Sequence, residues 1–145
     1  LQSDLNAAYL WAQLEMADQI NEDRLHTWNR YYESLKCLEN EGRIVLPTIP
    51  KECIHNAHMF YLKCESLKIR QAYIKYMKKN DILCVFHYVP LHSAPGGIKY
   101  GRFSGKDIYT TAESDKLVRL PMYYGLHAVD IQKVIEKTLE FFNKY

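Results

Sequence analysis

The apolar positions along this chain change period several times, and each change marks an element. From Leu1 to Leu14 the chain predicts a helix apolar almost all the way round: Leu5, Ala7, Ala8, Tyr9, Leu10, Trp11, Ala12 and Leu14, with Asn6 and Gln13 the polar exceptions. A helix without a polar face is a buried helix. One small domain covers one side of such a helix, so residues 1–14 predict a second domain or a second subunit against the other. Ser3 and Asp4 stand where an N-terminal cap is needed. Residues 21–38 then turn one-sided, with Leu25, Trp28, Tyr32, Leu35 and Leu38 at spacings of three and four. Gly42, Pro47 and Pro50 punctuate an extended connector.

Residues 58–64 read as a strand. Ser66 caps a helix whose face carries Ile69, Ala72, Tyr73, Tyr76 and Met77, and Asn80-Asp81 ends it. Five apolar residues, 82–86, predict a second, buried strand. This β-α-β run favours parallel pairing if its two strands are neighbours. The strand runs straight into His87, Tyr88 and His92, with Pro90 preventing any regular continuation. Residues 93–109, with Pro95 and glycines 96, 97, 101 and 105, predict a long loop. A short helix over 111–118, an edge strand at Leu120-Pro121-Met122 and a final helix follow. That last helix places Ile131, Val134, Ile135, Thr138, Leu139 and Phe142 on one face. The fold class is therefore α+β: a small sheet of about three strands covered by helices.

At 145 residues and 48% hydrophobic, the chain forms one domain with an ordinary core. Twelve tyrosines are more than so small an interior absorbs, which favours an interface or a ligand surface. The net charge of +2 comes from interspersed signs without a basic stripe, which argues against a nucleic-acid partner. Lys75, Lys78 and Lys79 read as a solvated helix face. No apolar run reaches membrane-spanning length. Cysteines 37, 53, 64 and 84 form no C-x-x-C pair and read as reduced, mostly buried thiols of a cytosolic protein. Cys53, His55 and His58 match no standard zinc spacing and lack a fourth ligand, so no metal site is expected.

Polar, titratable groups at a strand exit either close a ligand site or fill an interface. An imidazole or phenol donates hydrogen bonds to the oxygens of a bound ligand, and their ring faces pack on its carbons. His87, Tyr88 and His92 are thus candidate substrate-binding residues. The same groups also serve to pin a loop to backbone carbonyls, and both roles remain open. Tyr100 and Arg102 are weaker candidates for approaching an anionic ligand group, against a plain surface role.

The order of these elements resembles a known family. Residues 5–15 (LNAAYLWAQLE) resemble the helix opening the C-terminal domain of the DegT/DnrJ/EryC1/StrS sugar-nucleotide aminotransferases. Arg24 and Tyr31 fit the helix that follows. His87-Tyr88-Val89-Pro90-Leu91-His92 resembles its HY-x-PLH signature, and Leu120-Pro121-Met122 its LPM strand. Leu1-Gln2 replaces the Arg-Met of most members, so no role of that arginine carries over. His127 stands where a Ser or Thr helix cap is usual.

The resemblance implies the C-terminal small domain of a fold-type I transferase, with residues 1–145 as that domain and a PLP-binding large domain upstream. It implies pyridoxal 5'-phosphate as cofactor, a cytoplasmic homodimer, and a partly antiparallel sheet. It also implies transfer of an amino group from glutamate to the 4-keto carbon of dTDP-4-keto-6-deoxy-D-glucose, for bacterial surface polysaccharide. The Schiff-base lysine and the acidic partner of the pyridine nitrogen are expected upstream of Leu1. No catalytic or cofactor-binding residue is therefore expected in this segment, and the isolated chain is expected to be inactive and to self-associate through its first helix. The alternative is a non-catalytic binding or dimerisation module.

Overall fold

The computed structural model describes residues 2–145; the predicted helix start at Leu1 lies outside them. Helix α1 spans Asp4–Glu15, and Ser3 caps it by accepting from the Asn6 backbone N–H at 3.3 Å. It is exposed on every side: Leu5, Tyr9, Trp11 and Leu14 all face outward, and no residue of it is buried. Among the described residues, nothing buries either of its faces. Met16 breaks the helix, and α2 then runs Ala17–Asn40, starting earlier than its apolar stripe because the first turn is polar.

Trp28, Tyr31, Leu35 and Leu38 form the buried stripe of α2. Gly42, with φ +72°, ends the helix in the left-handed region that glycine adopts without strain. The Gly42 N–H donates to Glu39 (2.8 Å) and the Arg43 N–H to Leu38 (2.9 Å), closing the paired hydrogen bonds of a Schellman cap.

The expected connector hides a strand. β1 (Ile44–Val45) pairs antiparallel with β2 (Tyr61–Cys64), so the sheet has four strands rather than three. β2 begins later than residue 58 because the backbone turns at Ala57 (φ +50°), where Arg24 takes the carbonyls of Ala57 and His58. Helix α3 (Leu67–Lys79) is capped by Ser66, as its sequence predicts. It stops at Asn80-Asp81, with a second pair of Schellman bonds.

β3 (Val85–Phe86) departs from the expected buried strand. Ile82 and Cys84 point inward, whereas Leu83, Val85 and Phe86 are exposed, because the segment lies at a sheet edge with one face open. The five-residue apolar run concealed that alternation. β4 (Leu117–Arg119) is the larger correction: it is a central strand, not an edge strand at residues 120–122. Pairing closes with the Leu120 N–H donating to Phe60 at 3.0 Å, and Pro121, having no N–H, cannot extend it. The helix expected over 111–118 is the shorter α5 (Thr110–Ser114).

The strand order is β1-β2-β4-β3 with every pair antiparallel. β2 and β3 are therefore not neighbours, and the parallel option falls away: β4 inserts between them. Helix α3 packs on β2 and β4, and α6 (Ala128–Lys144) packs on α2 and α3. His127 caps α6 without a side-chain hydrogen bond, consistent with its departure from the usual Ser or Thr.

In the core the Tyr31 phenol donates to the Pro121 carbonyl at 2.9 Å, and Tyr73 lies 2.8 Å from the Thr138 hydroxyl. Of the cysteines, Cys64 and Cys84 are buried and pushed up to about 12 by that burial; Cys37 and Cys53 are exposed, so only half of the expected buried set is buried. No helix among the described residues is long and apolar enough to cross a membrane.

Candidate functional site

The chain leaves β3 at the sheet edge and turns outward through His87 to Pro90. His87 is half-buried and Tyr88 exposed, with their rings 3.6 Å apart, edge to face. Burial, then the charge of Arg119 and that of His58, hold the His87 imidazole below its ordinary value. At neutral pH the ring is therefore uncharged, with one nitrogen donating and the other accepting. The unfolded chain takes up this proton first, so His87 withdraws stability as pH falls below about 6.5. Arg119→Gln is expected to move the His87 ring-proton titration midpoint upward, read by NMR; an unmoved midpoint would refute the assigned influence of Arg119.

After Pro90 the chain makes a 3-10 turn, Leu91–Ser93, and enters α4 (Pro95–Tyr100). The stretch 93–109 is thus not a continuous loop. Pro95 at the first helical position is pre-set for helix, which outweighs the Gly96-Gly97 pair behind it. Gly97 lies tightly against the 3-10 turn: a Cβ there would sit 1.6 Å from the Leu91 carbonyl oxygen.

His92 is 2.9 Å from the Asp107 carboxylate and 4.4 Å, ring to ring, from Phe103. Asp107 in turn accepts from the Thr111 hydroxyl and from its backbone N–H (3.3 Å), in the first turn of α5. The Thr111 hydroxyl, then its N–H, and His92 hold the Asp107 carboxyl below its usual range. His92 thereby ties the 3-10 turn to α5. This contact is structural, though one edge of the ring still lines a pocket of about 500 Å³. Leu91, Gly96, Gly97, Tyr100, Gly101, Arg102, Phe103 and Thr110 line the rest of that largely apolar pocket. The exposed Tyr100 and Arg102 thus share one pocket wall with His92.

The structure places His92, Tyr100 and Arg102 together at the pocket, and His87 and Tyr88 separately on the sheet edge. Sequence reading missed Asp107, Thr111 and Ser114. A carboxylate just before a helix start is a capping signal, and Asp107 before Thr110-Thr111 carried it. Ser114 donates to the Tyr88 carbonyl, a contact without any local sequence signature. Cys53, His55 and His58 do not form a ligand set: His55 accepts from the Ala57 N–H at 3.3 Å and packs its ring on Trp28.

This architecture recurs in solved aminotransferases. It is similar to DesV of S. venezuelae, solved in complex with a ketimine intermediate (TM-score 0.85, 22% identity, 96% of this chain and 36% of that one). It is also similar to the aminotransferase TlmJ of Streptoalloteichus hindustanus (0.80, 18%, 92% and 34%). PseC of Helicobacter pylori, an aminotransferase involved in pseudoaminic acid biosynthesis, gives 0.79 at 15% identity, over 93% of this chain and 36% of that one. The fold is thus one found in sugar aminotransferases. Residues 2–139 match the DegT/DnrJ/EryC1/StrS aminotransferase family, and the chain belongs to it. An uncharacterized protein of Methanocaldococcus jannaschii, MJ1066, is 28% identical over 142 residues, covering 92% of this chain. The chain spans about a third of the length of these relatives.

Proposed function

We propose that this chain is the C-terminal small domain of a cytoplasmic, homodimeric, PLP-dependent sugar-nucleotide transaminase whose large domain lies upstream. The proposed reaction moves the amino group of glutamate to the 4-keto carbon of dTDP-4-keto-6-deoxy-D-glucose, the activity of a dTDP-4-amino-4,6-dideoxygalactose transaminase serving surface-polysaccharide synthesis. The observation that carries it is the half-buried His87 and exposed Tyr88 at the sheet edge, followed along the same segment by His92, Tyr100 and Arg102 lining an apolar pocket. Such a set suits a polar hexose joined to a diphosphate.

Pyridoxal phosphate supplies an electron sink for carbanion chemistry when bound through a lysine Schiff base. The residues of this chain do not fit that attachment. A nucleophilic lysine needs desolvation, and no lysine among the described residues is buried. Lys63 pairs with Glu113, and Lys137 and Lys144 with Glu140. The chemistry left to this chain is substrate positioning: His87 and Tyr88 donate to sugar oxygens, and His92 holds the 3-10 turn that follows them. The uncovered apolar surface of α1 supports association with a large domain or a second subunit.

The test is the full-length polypeptide with pyridoxal phosphate, glutamate and dTDP-4-keto-6-deoxy-D-glucose, with the stereochemistry at carbon 4 of the product read by NMR. His87→Ala and Tyr88→Ala are each expected to raise KM for the sugar nucleotide about tenfold, the loss of one hydrogen bond to substrate. No amino transfer to this substrate would overturn the proposed reaction.

A further inference from the structure

The His87–Tyr88 turn projects from a two-residue edge strand, which alone is a poor support for a substrate contact. What fixes it comes from α3. Arg70 is 8% exposed, and among the described residues it forms no ion pair. Its Nη1 donates to the Ser114 carbonyl at 2.7 Å, and its guanidinium carbon lies 4.9 Å from the Phe86 ring centroid. Its Nε is buried and finds no partner among the described residues.

A buried cation with no carboxylate and one idle donor is an expensive way to gain stability, since desolvation is only partly offset. Its contacts are better explained by what they hold in place. Phe86 is the residue immediately before His87. Ser114, whose carbonyl Arg70 grips, sends its own hydroxyl to the carbonyl of Tyr88. Arg70 therefore reaches both ends of the turn: residue 86 through a ring face, residue 88 through Ser114 at the end of α5. Lysine cannot reproduce this, because a single ammonium has neither the planar fork nor the flat face.

We propose that Arg70 is a positioning residue for the proposed substrate contact, fixing the direction in which His87 and Tyr88 leave the sheet edge. The inference rests on the proposed function only for the word substrate; the positioning itself is measurable without ligand.

In the full chain, Arg70→Lys is expected to speed backbone amide exchange at residues 86–89 at least tenfold relative to Ile131–Phe142 in α6, and to raise the His87 titration midpoint as the ring becomes more exposed. Ser114→Ala, which cuts the same linkage from its other end at a partly exposed site, is expected to loosen residues 88–89 without changing α3. It provides the answer should Arg70→Lys fail to fold. Exchange that rises in parallel throughout the sheet and α6, or does not rise at all in Ser114→Ala, makes Arg70 a merely structural cation and overturns the proposal. In the full-length enzyme the positioning variant is expected to raise KM for the sugar nucleotide while kcat changes less. If the turn loosens selectively while His87→Ala and Tyr88→Ala leave KM unchanged, positioning stands and the proposed substrate contact falls.

Discussion

Tyr73→Ala is expected to remove about 3–5 kcal/mol of folding stability, the range for truncating a large buried aromatic. Tyr73 is fully buried on α3, and its ring lies 5.3 Å from Phe141 and 5.2 Å from Phe142 on α6. It therefore joins α3, which packs on the sheet, to α6. Domains of this size are stable by only about 5–15 kcal/mol, so the variant would be marginal. Its urea midpoint should fall by more than about 1 M with the slope unchanged. Tyr73→Phe separates ring from hydroxyl. Thr138 keeps its bond to the Val134 carbonyl at 2.7 Å, so losing the phenol leaves no orphan and should cost about 1 kcal/mol. A Tyr73→Ala cost near that of Tyr73→Phe would mean that the ring is not what joins α3 to α6.

The second large effect is confined to the site. Gly97→Ala places a methyl group 1.6 Å from the Leu91 carbonyl oxygen, a backbone atom that no side-chain rotation moves aside. Helix α4 has to lift off the 3-10 turn, and the pocket wall formed by Tyr100 and Arg102 moves with it. Gly96→Ala meets nothing within 4 Å on the same helix and gains helix propensity of about 0.5–1 kcal/mol. Because Gly96 lines the same pocket, it controls for an added methyl group without the backbone clash. Gly97→Ala is expected to raise KM for the sugar nucleotide at least tenfold over Gly96→Ala, with little change in thermal unfolding because α4 buries no residue. Equal behaviour of the two variants would remove the close packing of Gly97 from the site.

Those two glycines also show where the sequence was legible and where it was not. Periodicity located α2, α3 and α6, because their buried stripes at three- and four-residue spacing are local properties of the chain. It located the outward turn at His87 through Pro90. α4 escaped it, since Gly-Gly reads as a loop signal although Pro95 and the packing at Gly97 make the segment helical. β1 and β4 escaped it too, because two or three residues are too few to carry a period. Burial of the first helix was inferred from its composition, yet a composition cannot supply the surface that buries it: the Trp11 indole donates to Glu15, one turn along on the same helix, at 2.9 Å. At the site, residue types pointed to His87, Tyr88 and His92. The partners that decide their roles, Arg70, Asp107 and Ser114, come from distant segments and carry no nearby signature. His92 illustrates the point, since its fixed contact with Asp107 assigns one face of the ring to the scaffold.

The position of β4 has a consequence for how the domain assembles. It is the last strand in the chain and yet sits between β2 and β3, so during synthesis both of those strands exist before the one that joins them. Until residues 117–119 arrive, β2 and β3 each have an unpaired flank, and Leu62 and Phe86 have no Val118 to face. Non-local closure of this kind is slow, since the loop must be ordered before the contacts reward it. The turn that carries His87 and Tyr88 hangs from β3 and is held by Ser114, three residues before β4. β3, and the turn that hangs from it, therefore have no sheet partner until β4 is in place.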